Sequence, residues 1–433
     1  MDSSSDKPSS LINSVSSEEL QKHPDSQSRP PWSILAGGWL LQFAGLGHCN
    51  SFGVYEDFYK EVYLSNSSSS DISWIGSVQI ALLFGIGLLS GVLSDRGHFR
   101  TLMWSSAVLY IVTNFTLSLT TVNQYYAVLL SQGFGIGTAL GLAWVPTFGT
   151  IGRLFPHHRD LAIGIAGSGA SFGGIVQPIL LNYLFQKSTL GFQNSVRVSA
   201  GINALLTLLG TIWITRNAVS PQNPIKGKLN ILSFFKEGPY VLLNLGFFCS
   251  EFGFLFPLIY LQLFARTRGI ALGETFFTLS VWNGATAAGR VAILCLPARI
   301  HPITIISGAC LGLSVCLFAY IPVRTFLDVM VVTSLGGIFY GAYCPHAVSA
   351  SASQARNMEE LGARIGIGTF IVAIATLCAP PILGALLADG FRWDTPIILA
   401  ASTVLIGSTF FASAAILLRR QKLAHLIHMN TNS

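Results

Sequence analysis

Twelve apolar segments follow one another along this 433-residue chain. They fall near residues 33–56, 73–94, 101–120, 125–149, 160–184, 194–215, 238–264, 275–297, 302–321, 326–350, 363–388 and 394–418. About 20 apolar residues in a helix reach across the hydrocarbon core of a bilayer. The chain is 51% hydrophobic and 10% charged, whereas soluble domains carry about 25% charged residues. The expected fold is an all-α membrane protein of twelve transmembrane helices. Glycine-rich stretches such as Gly133–Gly137 and Gly164–Gly174 would weaken a soluble helix; in lipid, small residues let helices approach one another.

An even number of crossings puts both termini on one side. With the N-terminus inside, 18 of the 25 lysines and arginines are counted with inner segments, Arg290 among them although it falls within its span, and 7 with outer ones, among them Lys60, Lys187, Arg197 and Arg324. The positive-inside rule then makes both termini cytoplasmic. The net charge of +6 reflects this distribution and does not point to nucleic acid. Residues 1–31 are polar and serine-rich, without the apolar core of a signal peptide, and read as a disordered cytoplasmic tail. The expected organisation is that tail, a six-helix half over 32–216, a cytoplasmic linker over 217–236, a second half over 237–418 and a cytoplasmic tail over 419–433. Two pseudo-symmetric halves are the arrangement of many secondary transporters.

The run Gly91-Val92-Leu93-Ser94-Asp95-Arg96-Gly97-His98-Phe99-Arg100 separates the second and third segments. Small residues give way abruptly to charge there. It resembles the G-x-L-x-D-R-x-G-x-R signature of the major facilitator superfamily, and the resemblance implies that Gly91, Asp95, Arg96, Gly97 and Arg100 act in gating. Gly289-Arg290 followed by Leu296-Pro297-Ala298-Arg299 reads as a degraded second copy, with Ala298 at the aspartate position.

Three further stretches narrow the resemblance. Gly37-Gly38-Trp39 with Ser51-Phe52-Gly53-Val54-Tyr55 is similar to the opening of monocarboxylate porters. Residues 153–169, from Arg153-Leu154-Phe155 to Gly167-Ser168-Gly169, look like that family's junction between the fourth and fifth helices. Leu361-Gly362-Ala363-Arg364-Ile365-Gly366, with Pro380-Pro381-Ile382-Leu383-Gly384 after it, resembles the fungal branch. That branch includes riboflavin carriers and exporters encoded beside secondary-metabolite genes. Lactate-carrying members have a lysine where this chain has Asn50, and an aspartate where it has Thr286; their arginine is matched by Arg290.

Glu251 and Arg290 are charged residues placed well inside spans, away from the ends. Glu251 sits in an otherwise apolar run, where a carboxylate is costly unless paired or protonated, so it either couples protons or bonds a neighbouring helix. Arg290 either binds an acidic substrate bidentately, pairs with Glu251, or reaches the interface. Asn50, Gln177 and Asn283 either line a cavity or join helices. Trp39, Trp144, Tyr260, Trp282 and Tyr343 offer stacking surfaces for an aromatic substrate. The expected substrate-binding set is Arg290, Asn50, Asn283, Trp282 and Tyr260, with Glu251 for protons. His157, His158 and His346 are expected in structural or solvated roles. Asn66-Ser67-Ser68 is a glycosylation sequon on the first outer loop.

The seven cysteines lack C-x-x-C spacing. No metal-ligand spacing, phosphate-binding loop or catalytic constellation is present, so neither a cofactor nor an enzyme activity is expected. The reading is a secondary transporter, in the bilayer, of an organic anion or mid-sized fungal metabolite. Export is placed ahead of the alternative, monocarboxylate or riboflavin uptake; a non-transporting nutrient receptor is more distant. The expected location is the plasma membrane, with a vacuolar or vesicle membrane as the alternative, and oligomeric state is left open.

Overall fold

Glycine 97 decides the first turn of the architecture. Its φ of +92° breaks the helix that would otherwise run from residue 71 to 117, a conformation that glycine adopts without strain. The computed structural model describes residues 32–433 apart from 156–157, 187–188, 218–230, 271, 293–299, 357–359, 388–391 and 432–433. The tail 1–31, most of the 217–236 linker, the 296–299 motif copy and His157 lie outside the described residues.

Among the described residues the structure is helical, without a strand. The first membrane helix, α1 (residues 32–63), is built of Trp32–Ala44, Leu46–Cys49, Phe52–Phe58 and a wide turn Tyr59–Tyr63. It is followed by α2 (residues 69–93), α3 (Phe99–Leu117), α4 (Tyr125–Leu154), α5 (Arg159–Gln186) and α6 (Gly191–Asn217). The second half holds α7 (Gly238–Thr267), α8 (Leu272–Ala292), α9 (Pro302–Ala319), α10 (Phe326–Ser353), α11 (Leu361–Ala385) and α12 (Asp394–Thr431). Nine described stretches are long and apolar enough to span a bilayer, and one of them, Asp71–Leu117, contains both α2 and α3. The interrupted α1 and the more polar α8 bring the bundle to twelve. Helix α12 runs on to Thr431, well past the end expected near 418.

The helix ends sort to two ends of the bundle. At one, Tyr63 donates to the Thr120 carbonyl at 2.6 Å and Tyr125 to that of Asp71 at 2.9 Å. Capping boxes at Ser68/Asp71 and Thr325/Asp328 start α2 and α10, satisfying amides the helices leave free. At the other end, Asp95 pairs with Arg153.

The second half has one continuous core that includes Leu243, Phe254, Trp282, Tyr320 and Phe411. The first half has separate cores toward its two ends, one around Ile34, Met103 and Ile214 and one around Tyr55, Tyr59 and Phe192. Large apolar side chains also face outward, including Leu89, Val108, Leu130, Tyr183, Leu205, Val315 and Leu327. So wide an apolar exterior needs lipid to cover it. Inside, polar side chains return bonds to their own helix: Asn114 donates to the Tyr110 carbonyl at 2.7 Å and Asn244 to that of Tyr240 at 2.8 Å.

The two halves repeat one another in sequence. Cys49-Asn50-Ser51-Phe52-Gly53 of α1 returns as Cys249-Ser250-Glu251-Phe252-Gly253 of α7, and Gly137 and Gly141 of α4 return as Gly337 and Gly341 of α10. The halves meet where α2 packs on α11 and α5 packs on α8 and α10.

Candidate transport cavity

Eight helices, α1, α2, α4 and α5 from one half and α7, α8, α10 and α11 from the other, surround a cavity with about 850 Å³ of atom-free space. Its first-half wall is aromatic. Trp144 stands edge-on to Phe148 at 4.8 Å and to Phe84 at 5.5 Å between ring centres. Its second-half wall carries the polar chemistry. Along α10, Tyr340, Tyr343, Cys344, Ala347, Val348 and Ser351 line the cavity, spaced as one helix face requires.

Arg290 and Glu251 both line this cavity, each 6% exposed. Gly341 lets α10 press onto α8 beside Thr286 and Arg290. The Arg290 guanidinium then lies beside Gly167 of α5 and has Cys344 as an electrostatic neighbour, while its Nε has no hydrogen-bond partner among the described residues. Among the described residues neither Arg290 nor Glu251 forms an ion pair. The two do not pair with each other, although Tyr340 is within electrostatic reach of both. No hydrogen bond to the Glu251 carboxylate is formed by the described residues, and Tyr343 and Cys344 are its electrostatic neighbours.

Contacts between the halves lie beyond the cavity at both ends. At one, the Asp95 carboxylate rests on the first turn of α11 at Gly362 and Ala363 while paired with Arg153. Gly91 meets the Gly362 carbonyl there, so close that a Cβ has no room. Val145, Ala352, Leu361 and Ile365 form an apolar plug beside it. Arg96 and Arg100 are exposed. At the other end, the Asn50 amide donates to Asn283 Oδ1 at 3.4 Å, Asn283 donates to the Gly174 carbonyl at 3.3 Å, and Gln262 donates to Asp57 at 3.4 Å.

Of the expected substrate-binding set, the structure brings Arg290 to the cavity lining and places Asn50, Asn283, Trp282 and Tyr260 off it. Asn50 and Asn283 are occupied with each other across the halves. Trp282, 1% exposed, is packed in the second-half core against Tyr340. Tyr260 donates to the Pro380 carbonyl at 2.7 Å. Gln177 bonds the Phe43 carbonyl, and Trp39 bonds Ser168. In each case a polar atom in an apolar bundle has found a partner on a neighbouring helix, which takes it off the cavity wall. Trp144 and Tyr343 do line the cavity. His346 bonds within α10 at Ala342. The sequence reading missed Gln42, Phe84, Phe148, Tyr340 and Cys344; the α10 stripe, three and four residues apart, was the signal available for the last two.

A twelve-helix bundle of two similar halves around a central cavity defines a membrane carrier. The family model for the Major Facilitator Superfamily matches residues 50–334, and the chain belongs to that superfamily. It is a transporter of a small molecule, not an enzyme. It is 32% identical to the aspyridones efflux protein apdF of Emericella nidulans over 89% of this chain and 77% of that one. It is 30% identical to the agnestins efflux protein of Paecilomyces divaricatus over 90% of each chain. Among solved structures, FucP in its outward conformation is similar in fold, with a TM-score of 0.69 and 16% identity over 89% of this chain and 98% of that one.

Proposed function

We propose that the chain is a proton-coupled exporter of a mid-sized organic metabolite bearing an acidic group, in the fungal branch of the monocarboxylate porters. One observation carries the reading: the cavity between the halves is lined by a cation, Arg290, and a carboxyl, Glu251, neither in an ion pair among the described residues, beside aromatic rings. A buried guanidinium without a carboxylate partner is a site for an anionic group. A buried carboxyl without a partner is a place where a proton is taken up and released. Trp144 and Phe148 suit an unsaturated body. The named efflux relatives favour export over uptake. We place the Asp95 end in the cytoplasm with both termini on the distribution of lysine and arginine, and take the plasma membrane as the default location for an exporter. Transport then alternates between opening at the Asp95 end and opening at the Asn50–Asn283 end.

The test is flux into proteoliposomes. A mixture of organic acids, riboflavin and a fungal culture extract is offered with and without a pH gradient, and the contents are read by mass spectrometry. Accumulation of an acidic metabolite only with the gradient is expected. Equal filling in both conditions would refute proton coupling, and selective accumulation of neutral compounds would refute the role given to Arg290.

A further inference from the structure

We infer that Arg364 is a positioning residue: it locks the end of the linker between the halves onto the first turn of α11, and so holds in place the surface on which Asp95 closes. Arg364 is fully buried. Its guanidinium forks onto Glu237, just before α7, at 2.9 and 2.7 Å, and its Nε donates to Glu360 at 2.9 Å. Arg356 also pairs with Glu237 at 2.8 Å. Two cations and two carboxylates thus form a neutral network. Aromatic faces enclose it: Phe234, at the end of the linker, lies 4.3 Å from the Arg364 guanidinium carbon, and Tyr240 lies 5.0 Å away. The Tyr240 hydroxyl donates to the Arg364 carbonyl at 3.0 Å.

The same turn of α11 has a second side. Gly362 faces Asp95, and Gly366 faces Leu88, with a Cβ on it only 2.7 Å from the Leu88 Cα. Ala363 and Ile367 bury against Phe234 and Tyr240, with Leu88 and Val92 of α2 packed onto them. The first turns of α11 are therefore held by the linker end through Arg364 and docked on the other half through glycines. A planar fork satisfied by two carboxylates fixes orientation in a way an ammonium does not. The linker end and the α11 terminus move as one body, so strain on the linker reaches the closing contact directly. This rests on the proposed reading of the Asp95 contact as a gate.

The experiment is hydrogen–deuterium exchange on the full-length protein in lipid nanodiscs, with proteoliposome transport measured in parallel. Arg364→Lys and Glu237→Gln are compared with wild type. Phe234→Leu, which removes one enclosing ring and leaves the ion pairs, is the mild variant in case the others do not fold. The expected result is exchange about tenfold faster or more in residues 361–366 and, together with them, in 87–94 of α2, where no residue has been changed. Exchange around 279–283, at the far end, stays as in wild type. Faster exchange confined to 231–240 and 356–366, with 87–94 unchanged, would overturn the inference. Loosening of both segments with transport undiminished would uphold the positioning role and instead refute the gate reading.

Discussion

Glu251→Gln isolates the proposed proton site, because the amide keeps the shape of the side chain and removes the titration. The described lining of the cavity contains one carboxyl, Glu251. One carboxyl carries one proton per cycle. A proton moving down one pH unit supplies about 1.4 kcal/mol, a tenfold accumulation ratio. With the membrane potential clamped, two pH units therefore sustain a ratio of about 100 for one proton per substrate. The assay follows substrate ratio at steady state against imposed pH difference in proteoliposomes. The logarithm of the ratio should rise by one per pH unit in wild type and stay flat in Glu251→Gln. Exchange of labelled for unlabelled substrate should persist in the variant, since the neutral cavity can still reorient while loaded. A slope of two would require a second titrating group. An unchanged slope in Glu251→Gln would refute the assignment.

Arg290→Gln should weaken binding of acidic substrates by about 30-fold or more, the loss expected when a buried charge partner is removed, and leave neutral analogues unaffected; ligand-dependent thermal shift measures both. Gly47→Ala should lower the thermal unfolding midpoint. Its Cβ would lie 2.6 Å from the Gly173 Cα, so backbone must move, at about 1–3 kcal/mol. Gly201→Ala, which meets nothing within 4 Å, should be neutral or gain up to about 1 kcal/mol from helix propensity. Asn66 is exposed, and Asn66→Gln should abolish an enzyme-removable glycan shift on gels of protein expressed in a fungal host. A wild-type protein without that shift would remove the sequon as support for the outer placement of this loop.

The helical bundle was legible in the sequence because the bilayer writes a strong one-dimensional signal: length and hydropathy define each crossing. Helix α1 is interrupted within its apolar stretch and α8 is comparatively polar, yet the apolar stretches near 33–56 and 275–297 still located both. Glu251 and Arg290 were legible as site candidates because charge in an apolar run is conspicuous. Asn50, Asn283, Trp282 and Tyr260 lie off the cavity lining for the complementary reason. A neutral polar group in a membrane helix seeks any partner, and its identity does not say whether the partner is substrate or another helix. The answer depends on helix rotation, fixed by close backbone contacts such as Gly341 on Thr286 and Gly47 on Gly173.

The repeat between halves shows how the charged groups come to lie on one side. Positions 144 and 344 correspond, as do 148 and 348, and 51 and 251. In the first half these hold Trp144, Phe148 and Ser51; in the second they hold Cys344, Val348 and Glu251. The backbone repeat gives each half a similar wall with aromatic rings on both, and side-chain divergence puts the charged groups on one of them. A rocking motion that separates the halves at one end keeps each wall intact, since Arg290, Cys344 and Glu251 all belong to the second half. On the proposed reading, charge recognition then survives reorientation within one rigid body, while Trp144 and Phe148 of the other half engage or release the substrate's body. Grafting an arginine into the first half would break that separation. It would place a cation opposite Glu251 across the moving interface, and an ion pair formed there would hold the cavity shut.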